Sequence, residues 1–203
     1  MGRLATSFVL GYHGCDREVA DKLVRGLASF IPSEKPYDWL GPGIYFWEAD
    51  YQRAWEWAQA RCRRAGGEPL VVGAAIDLGN CLDLLTRTDQ ELVRGAYDSL
   101  TAMYDTAEKP LPVNENSPHG GDRDRRLRTL DCAVISHLHQ LAEDPKLGPS
   151  TPFDTVRGML TEGHQLYPGS GFHEQSHIQI AVRTPDAIKG VFLPPELGQS
   201  LPD

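Results

Sequence analysis

Two short motifs in the first fifty residues combine side chains that are suited to binding a small ligand. Tyr12-His13-Gly14 follows an apolar run, and Gly41-Pro42-Gly43-Ile44-Tyr45-Phe46 comes about thirty residues later. An imidazole exchanges hydrogen bonds with hydroxyl groups, a glycine allows close approach to the backbone, and an aromatic face stacks on a flat ring. Taken alone, the histidine could be a hydrogen-bonded core residue and the tyrosine an ordinary buried aromatic residue. The spacing of the two motifs therefore carries the argument.

The patterning around the motifs predicts the elements that must position them. The run Phe8-Val9-Leu10 predicts a short strand that ends at a glycine turn in the first motif. Apolar residues at helical spacing then predict a helix over 17–28. The segment 43–47 predicts a buried strand, and alanines and tryptophans after it predict a helix over 50–63. A strand, a motif and a helix thus occur twice in succession.

This arrangement resembles the ADP-ribosyltransferases of the diphtheria-toxin and poly(ADP-ribose) polymerase type, whose signature is a histidine, a tyrosine and a glutamate on three separate strands. The resemblance covers residues 8–60 and, more loosely, the strand near 177–183, whereas 80–165 contains no matching motif. It implies a single catalytic domain over 1–203, as in a stand-alone bacterial protein. The implied fold class is α+β, with a split, mainly antiparallel β core flanked by helices.

The resemblance also implies roles for individual residues. His13 is expected to donate a hydrogen bond to a ribose hydroxyl of NAD⁺, and the backbone of Gly14 to pair with the nicotinamide carboxamide. Tyr45 is expected to stack on the nicotinamide ring. Trp57 is expected to close the other face, with Trp55 as its competitor, because residues two apart on a helix point in different directions. The implied NAD⁺-binding set is Tyr12, His13, Gly14, Gly43, Tyr45, Phe46 and Trp57.

The third signature residue is a glutamate at the start of a late strand, and the expected residue is Glu174, which makes the catalytic set His13, Tyr45 and Glu174. A carboxylate there stabilises the oxocarbenium character that develops as nicotinamide leaves, and it orients the incoming nucleophile. Nearby Gln175, His177 and Gln179 accept hydrogen bonds without supplying that charge. If Glu174 is a surface loop residue, the catalytic glutamate lies elsewhere or is absent.

The expected activity is that of an NAD⁺-dependent mono-ADP-ribosyltransferase, with NAD⁺ as substrate, no metal, and a macromolecular or small-molecule acceptor. Bacterial toxins and phage-defence effectors of this type would imply a neutralising antitoxin or inhibitor protein as a partner. Two alternatives remain, an NAD⁺ glycohydrolase and a catalytically silent module that binds NAD⁺ or ADP-ribose. One departure from the family is Cys15, where threonine or serine is more usual.

The rest of the chain predicts further elements without a recognisable motif. A third strand is expected over 70–78, helices over 89–107 and 130–141, and strands over 177–182 and 188–192. Asp154 and Arg157 are expected to form an i, i+3 pair on a helix, with contact between Arg157 and the NAD⁺ pyrophosphate as the alternative. The basic run 123–128 is expected to begin a solvated helix, although it could touch a polyanionic acceptor.

Composition limits the remaining classes of protein. The 203 residues are 40% hydrophobic and 24% charged with a net charge of −8, which disfavours stable nucleic-acid binding. Four dispersed cysteines, no secretory leader and no apolar stretch of about 20 residues predict a cytoplasmic protein with free thiols. The seven histidines lack a metal-ligand spacing, and no Gly-x-Gly-x-x-Gly opens a helix, so neither a metal site nor a Rossmann site is expected.

Overall fold

A computed structural model describes residues 8–115, 127–147 and 151–195. Within them the helices are α1 Arg17–Val24, α2 Tyr51–Ala65, α3 Arg87–Thr106 and α4 Thr129–Glu143. The strands are β1 Phe8–Asp16, β2 Ile44–Glu48, β3 Pro69–Asp77, β4 Cys81–Asp83, β5 Asn114–Glu115, β6 Leu127–Arg128, β7 Thr155–Leu160, β8 His177–Val182 and β9 Ile188–Phe192.

Seven of the strands form one sheet in the order β4-β7-β8-β2-β1-β3-β9. Every neighbouring pair is antiparallel except β4 and β7. The expected mixture of helices with a mainly antiparallel sheet is therefore confirmed. The strands that carry the two motifs, β1 and β2, lie side by side in the middle, and β8 pairs with β2 on its other edge. Residues far apart in the chain thus meet at the centre of the sheet.

The prediction of a turn at the first motif is wrong, because β1 runs straight through Tyr12-His13-Gly14. All nine residues of β1 pair with β3, from Phe8 opposite Asp77 to Asp16 opposite Pro69. The glycines serve close packing within the strand. A Cβ on Gly11 would lie 2.8 Å from the Cβ of Phe46, and a Cβ on Gly14 would collide with the carbonyl oxygen of Ala54 on α2.

Helices α1 and α2 cover opposite faces of β1 and β3. Helix α1 buries Ala20 and Leu23 against Cys15 and Val72, and Asp16 caps its first turn by accepting a hydrogen bond from the amide of Glu18 at 2.9 Å. Helix α2 carries small residues at four-residue intervals, which lets it lie close to the strands. These residues are Ala54, Ala58 and Cys62, all buried.

Helices α3 and α4 pack on each other and on the other half of the sheet. Their buried residues form one cluster with side chains from the loop before β2 and from β4, β7 and β8: Leu40, Leu82, Ala96, Leu100, Val134, Ile135, Leu138, Val156 and Ala181. Both helices lie within three residues of their predicted limits. The part of this core that the two helices contribute therefore follows from helical periodicity.

The pairing predicted for Asp154 and Arg157 on a helix is also wrong, because β7 begins at Thr155. Thr155 and Val156 are fully buried in the sheet, and β-branched residues suit such positions. Asp154 instead accepts a hydrogen bond from the amide of Asn80 at 2.7 Å. Arg157 turns to Glu48 on β2, as described below.

Three smaller observations complete the description of the fold. All four cysteines are unpaired thiols, as predicted. In the described part of the chain, no helix is long and apolar enough to cross a membrane. Most of the basic run, 123–126, lies outside the described residues, and its last two residues form β6.

Candidate functional site

A gap opens between β1 and β2 within the first motif, directly beyond Tyr12. The two strands pair only at Gly11 with Glu48 and at Tyr12 with Trp47, and the carbonyl of Leu10 accepts the amide of Ala49 at 2.9 Å. Since hydrogen-bonding direction alternates along an antiparallel strand, Leu10, Tyr12 and Gly14 turn their N–H and C=O groups towards β2. Gly14 lies past the last pair. Its peptide groups therefore face the gap.

The imidazole of His13 bridges this gap. Its Nδ1 lies 2.8 Å from the carbonyl oxygen of Tyr45, the residue that continued pairing would place opposite Gly14. The ring packs between Phe30 and Phe46, with centroids 5.4 and 5.7 Å away. Burial lowers the pKa of His13, which keeps the ring neutral. Because Nδ1 donates to a carbonyl, Nε2 is a hydrogen-bond acceptor, which reverses the donor role expected from the resemblance.

Tyr45 is fixed on the other side of the gap. Its hydroxyl donates to the carbonyl of Gly41 at 2.8 Å and accepts from the amide of Leu40 at 3.0 Å. The ring packs against the cluster under α3 and α4, and burial raises the pKa of the phenol well above its ordinary range. Tyr45 is thus a neutral, immobilised ring beside Gly14.

The remaining residues of the two motifs support this arrangement from outside the gap. Phe46 is wholly buried, below His13. Gly43 is buried at the start of β2, where its amide and carbonyl pair with Ser33 at 3.0 and 2.8 Å. Tyr12 packs edge-on against Tyr51, with centroids 5.8 Å apart. Because these three residues contact other protein groups, they stabilise the positions of the strands on either side of the gap.

Helix α2 supplies a half-exposed tryptophan at the border of the gap. Trp57 has 36% of its surface exposed, and its ring lies 6.4 Å from that of His13 and 6.0 Å from that of Trp47. Trp55 packs into the cluster beneath α2 that contains Trp47 and Val71. The geometry therefore favours Trp57 over Trp55 as the ring available to a ligand. The guanidinium of Arg61 lies 5.4 Å above the Trp57 ring.

Glu174 lies on the surface, in the loop that precedes β8. Its side chain is exposed, and its amide donates to the carbonyl of His164 at 3.0 Å. The β8 residue opposite Trp47 is Gln179, whose amide oxygen accepts the indole N–H of Trp39 at 2.7 Å. On this strand, an amide thus stands opposite Trp47, the residue that follows the β2 motif, and apolar residues stand opposite the motif itself.

A different carboxylate, Glu162, is buried near the start of β8. It follows β7 by two residues, is 7% exposed, and binds the guanidinium of Arg53 on α2 at 2.6 Å. Its Oε2 lies 3.8 Å from Nδ1 of His177, whose ring is 6.2 Å from that of Trp47. Sequence reasoning missed Glu162 because β7 was not recognised, so nothing placed residue 162 beside the late strand.

Arg157 is engaged on the sheet. Its guanidinium makes two bonds to the carboxylate of Glu48, at 2.6 and 2.9 Å, and one to Asp83 at 3.1 Å. The hydrogen bond to Glu48 raises the pKa of Arg157 above an already high value. The alternative interpretation, contact with the NAD⁺ pyrophosphate, would require breaking this bidentate pair.

Metal-binding side chains do not converge within the described segments: no group of three histidine, cysteine, aspartate or glutamate residues is close enough to hold an ion. His137 and His139 are both buried on α4, but His137 Nε2 hydrogen-bonds to Ser99 at 3.0 Å.

Comparison with known proteins adds one distant relative. The chain is 24% identical over 195 residues to the uncharacterized protein MJ0359 of Methanocaldococcus jannaschii, a match that covers 88% of this chain and 83% of the relative. No protein-family model matches the chain. No solved structure matches it either. The name of that relative states no activity.

Proposed function

We propose that this chain is an NAD⁺-dependent mono-ADP-ribosyltransferase of the diphtheria-toxin and poly(ADP-ribose) polymerase type, with an ADP-ribosyltransferase-like fold. The observation that carries the proposal is the gap between β1 and β2, where the peptide groups of Gly14 face an open edge opposite Tyr45. A carboxamide presents an N–H donor and a C=O acceptor side by side, which is what an unpaired residue of a strand requires. The nicotinamide of NAD⁺ offers such a group on a flat ring.

The side chains around the gap fit the rest of NAD⁺. Tyr45 and Trp57 offer aromatic surface to the nicotinamide ring, and such contacts gain of order 1–2 kcal/mol when desolvated. Nε2 of the neutral His13 accepts a bond from a ribose hydroxyl. Burial lowers the pKa of His13, and the charge of Arg61, which is stacked on Trp57, acts in the same direction. Arg61 therefore brings positive potential for the pyrophosphate to a chain of net charge −8.

The carboxylate of the reaction is assigned to Glu162 in preference to Glu174. Glu162 is buried next to His177 at the start of β8, whereas Glu174 is exposed to water. A carboxylate in a water-poor site interacts more strongly with the developing oxocarbenium ion. The glycosidic bond then breaks, and nicotinamide leaves with the bonding electron pair. An acceptor nucleophile bonds to the anomeric carbon and gives its proton to the Glu162 carboxylate.

Nicotinamide release from NAD⁺ by matched variants tests this proposal. We expect release by the wild type, a fall of about 10²–10³-fold in Glu162→Gln, and a change of less than about threefold in Glu174→Gln. Both substitutions are isosteric, and circular dichroism verifies that each variant folds. Loss of release in Glu174→Gln alone would move the carboxylate back to the loop before β8. Release without labelling of any acceptor would make the protein an NAD⁺ glycohydrolase.

A catalytically silent module that binds NAD⁺ or ADP-ribose is the second candidate. Gln179 favours it, because an amide stands on β8 opposite Trp47 and is already bound to Trp39. This candidate predicts a saturable NAD⁺-dependent rise in melting temperature together with no nicotinamide release from any variant. A transferase must show both the NAD⁺-dependent rise in melting temperature and the release of nicotinamide.

A further inference from the structure

Arg53 and His177 lie beside Glu162, and the Trp47 ring is 6.2 Å from that of His177. Each of these three residues has one buried polar atom without a hydrogen-bond partner in the described residues, three atoms in all. They are Nε1 of Trp47, Nε of Arg53 and Nε2 of His177. Trp47 and His177 are 5% and 6% exposed. A buried polar atom without a partner costs about 1–3 kcal/mol, and native proteins keep such atoms rare. Their grouping on neighbouring residues favours a group that is supplied from outside.

The three atoms are complementary in type. Trp47 Nε1 and Arg53 Nε carry hydrogens and can only donate. His177 Nδ1 lies 2.6 Å from the carbonyl of Gln175 and therefore donates to it. Burial lowers the pKa of His177, so its ring is neutral and Nε2 is an acceptor. Hydroxyl groups both donate and accept hydrogen bonds, so a ligand with hydroxyl groups would match these three atoms.

The cluster lies directly behind the border of the gap. The Trp47 ring is 6.0 Å from that of the half-exposed Trp57, which in turn contacts His13. Arg53 is one turn before Trp57 on α2 and holds Glu162 at 2.6 Å. These donors and this acceptor are therefore adjacent to the ring that borders the gap.

We propose that Trp47, Arg53 and His177 form a subsite for the cis-diol of a ribose. One hydroxyl donates to His177 Nε2, and the adjacent hydroxyl accepts from the Trp47 indole N–H or from Arg53. This inference rests on the proposed function, because NAD⁺ is the ligand that brings the ribose. Either ribose of NAD⁺ carries the required chemistry, and deoxy analogues distinguish the two.

Equilibrium binding of NAD⁺ and of two deoxy analogues, each lacking one 2′-hydroxyl, is the test. The wild type should bind one analogue about tenfold more weakly than NAD⁺, because the missing hydroxyl leaves buried groups of the protein without a hydrogen-bond partner. The other analogue should bind as NAD⁺ does. Equal affinity for all three would mean that water fills the cluster, and it would overturn the subsite while the NAD⁺ pocket stands. A wild type that does not bind NAD⁺ overturns both proposals.

Two variants make the assignment specific to these residues. Trp47→Phe removes the donor and His177→Leu removes the acceptor, and each should weaken NAD⁺ binding about tenfold without changing affinity for the discriminated analogue. Trp55→Phe, which alters a ring in the same cluster beneath α2, is the matched control. Equal weakening for NAD⁺ and for the analogue would reveal a packing effect and would overturn the inference. If one variant fails to fold, the other still separates this cluster from His13, which also accepts a ribose hydroxyl under the proposed function.

Discussion

His13 uses one ring nitrogen to hold the strand edge and leaves the other one available. Nδ1 satisfies the carbonyl of Tyr45, which would otherwise be left without a strand partner at the gap. That bond fixes the tautomer and aims Nε2 away from Tyr45. A histidine suits the position because no other neutral side chain offers a donor and an acceptor on the two sides of a rigid ring.

The first prediction concerns this residue. Saturation with NAD⁺ at about 100 times its dissociation constant stabilises a protein by about 2.7 kcal/mol, or roughly 5–10 °C in melting temperature for a chain of this size. His13→Ala should lose this shift. His164→Ala, which removes an exposed histidine from the loop before β8, should keep it. A full shift in His13→Ala would contradict the interpretation of the His-Gly motif.

The choice between Glu174 and Glu162 as the proposed catalytic carboxylate depends on burial, which residue type alone does not predict. Glu174 has the right chemistry and lies three residues before β8, yet it is exposed. Glu162 is buried because Arg53, more than a hundred residues earlier, neutralises it. Such long-range ion pairs leave no periodic signal, so one sequence without its fold could not single out Glu162.

At the scale of elements, β1 and α2 approach so closely that only glycine fits between them at position 14. A Cβ there would collide with the carbonyl of Ala54 and lie 3.1 Å from the Cβ and the amide nitrogen of Ala58. The same α2 carries Trp57 to the gap. Any shift of the helix would therefore move the site.

Gly14→Ala should accordingly destabilise the protein by about 1–3 kcal/mol, as overpacking does, and should weaken NAD⁺ binding. Gly95→Ala is the matched control. Gly95 lies within α3, and no atom lies within 4 Å of the place that an alanine methyl would take, so alanine there should stabilise by about 0.5–1 kcal/mol. Urea unfolding measures both. Unchanged stability in Gly14→Ala would show that α2 moves freely over β1.

Most elements follow from local patterning, and the failures have physical reasons. The alternation in 177–182 and the helical spacing of α2, α3 and α4 predict their elements closely. β1 was expected to turn because glycines commonly mark turns, but its pairing with β3 overrides that preference. β7 escaped notice because Arg157 and Gly158 interrupt its apolar pattern. The Arg157 charge is compensated by Glu48 and Asp83, which local patterning does not detect.

For the whole molecule, burial of histidines links stability to pH. Burial lowers the pKa of His139 to about 4, helped by the charge of Arg183 and opposed by Glu143. Its pKa is about 6.5 in the unfolded chain. Between these values the unfolded state binds more protons, so stability falls as the pH drops from about 6.5 towards 4. His13 and His177, whose pKa values burial also lowers, act in the same direction.

His139→Phe should therefore flatten the pH dependence of the urea midpoint between pH 7 and pH 5. The full shift of this histidine corresponds to about 3 kcal/mol, reached only near pH 4. Neither ring nitrogen of His139 has a partner among the described residues, so phenylalanine should leave stability at pH 7 equal or higher. His164→Gln should retain the wild-type profile. If the urea midpoint of His139→Phe depended on pH as steeply as that of the wild type, burial of His139 would not contribute to the pH dependence, which would contradict this prediction.

The unpaired edge of β1 has a consequence for inhibition. A carboxamide is chemically a peptide unit, so under the proposed function nicotinamide would complete the ladder that β1 and β2 leave unfinished beyond Tyr12 and Trp47. Free nicotinamide keeps that unit and should compete with NAD⁺. Nicotinic acid replaces the N–H₂ donor with an acceptor, and two facing carbonyl-type oxygens repel. The protein would thus bind nicotinamide in preference to nicotinic acid, because the free edge of β1 needs a donor and an acceptor together.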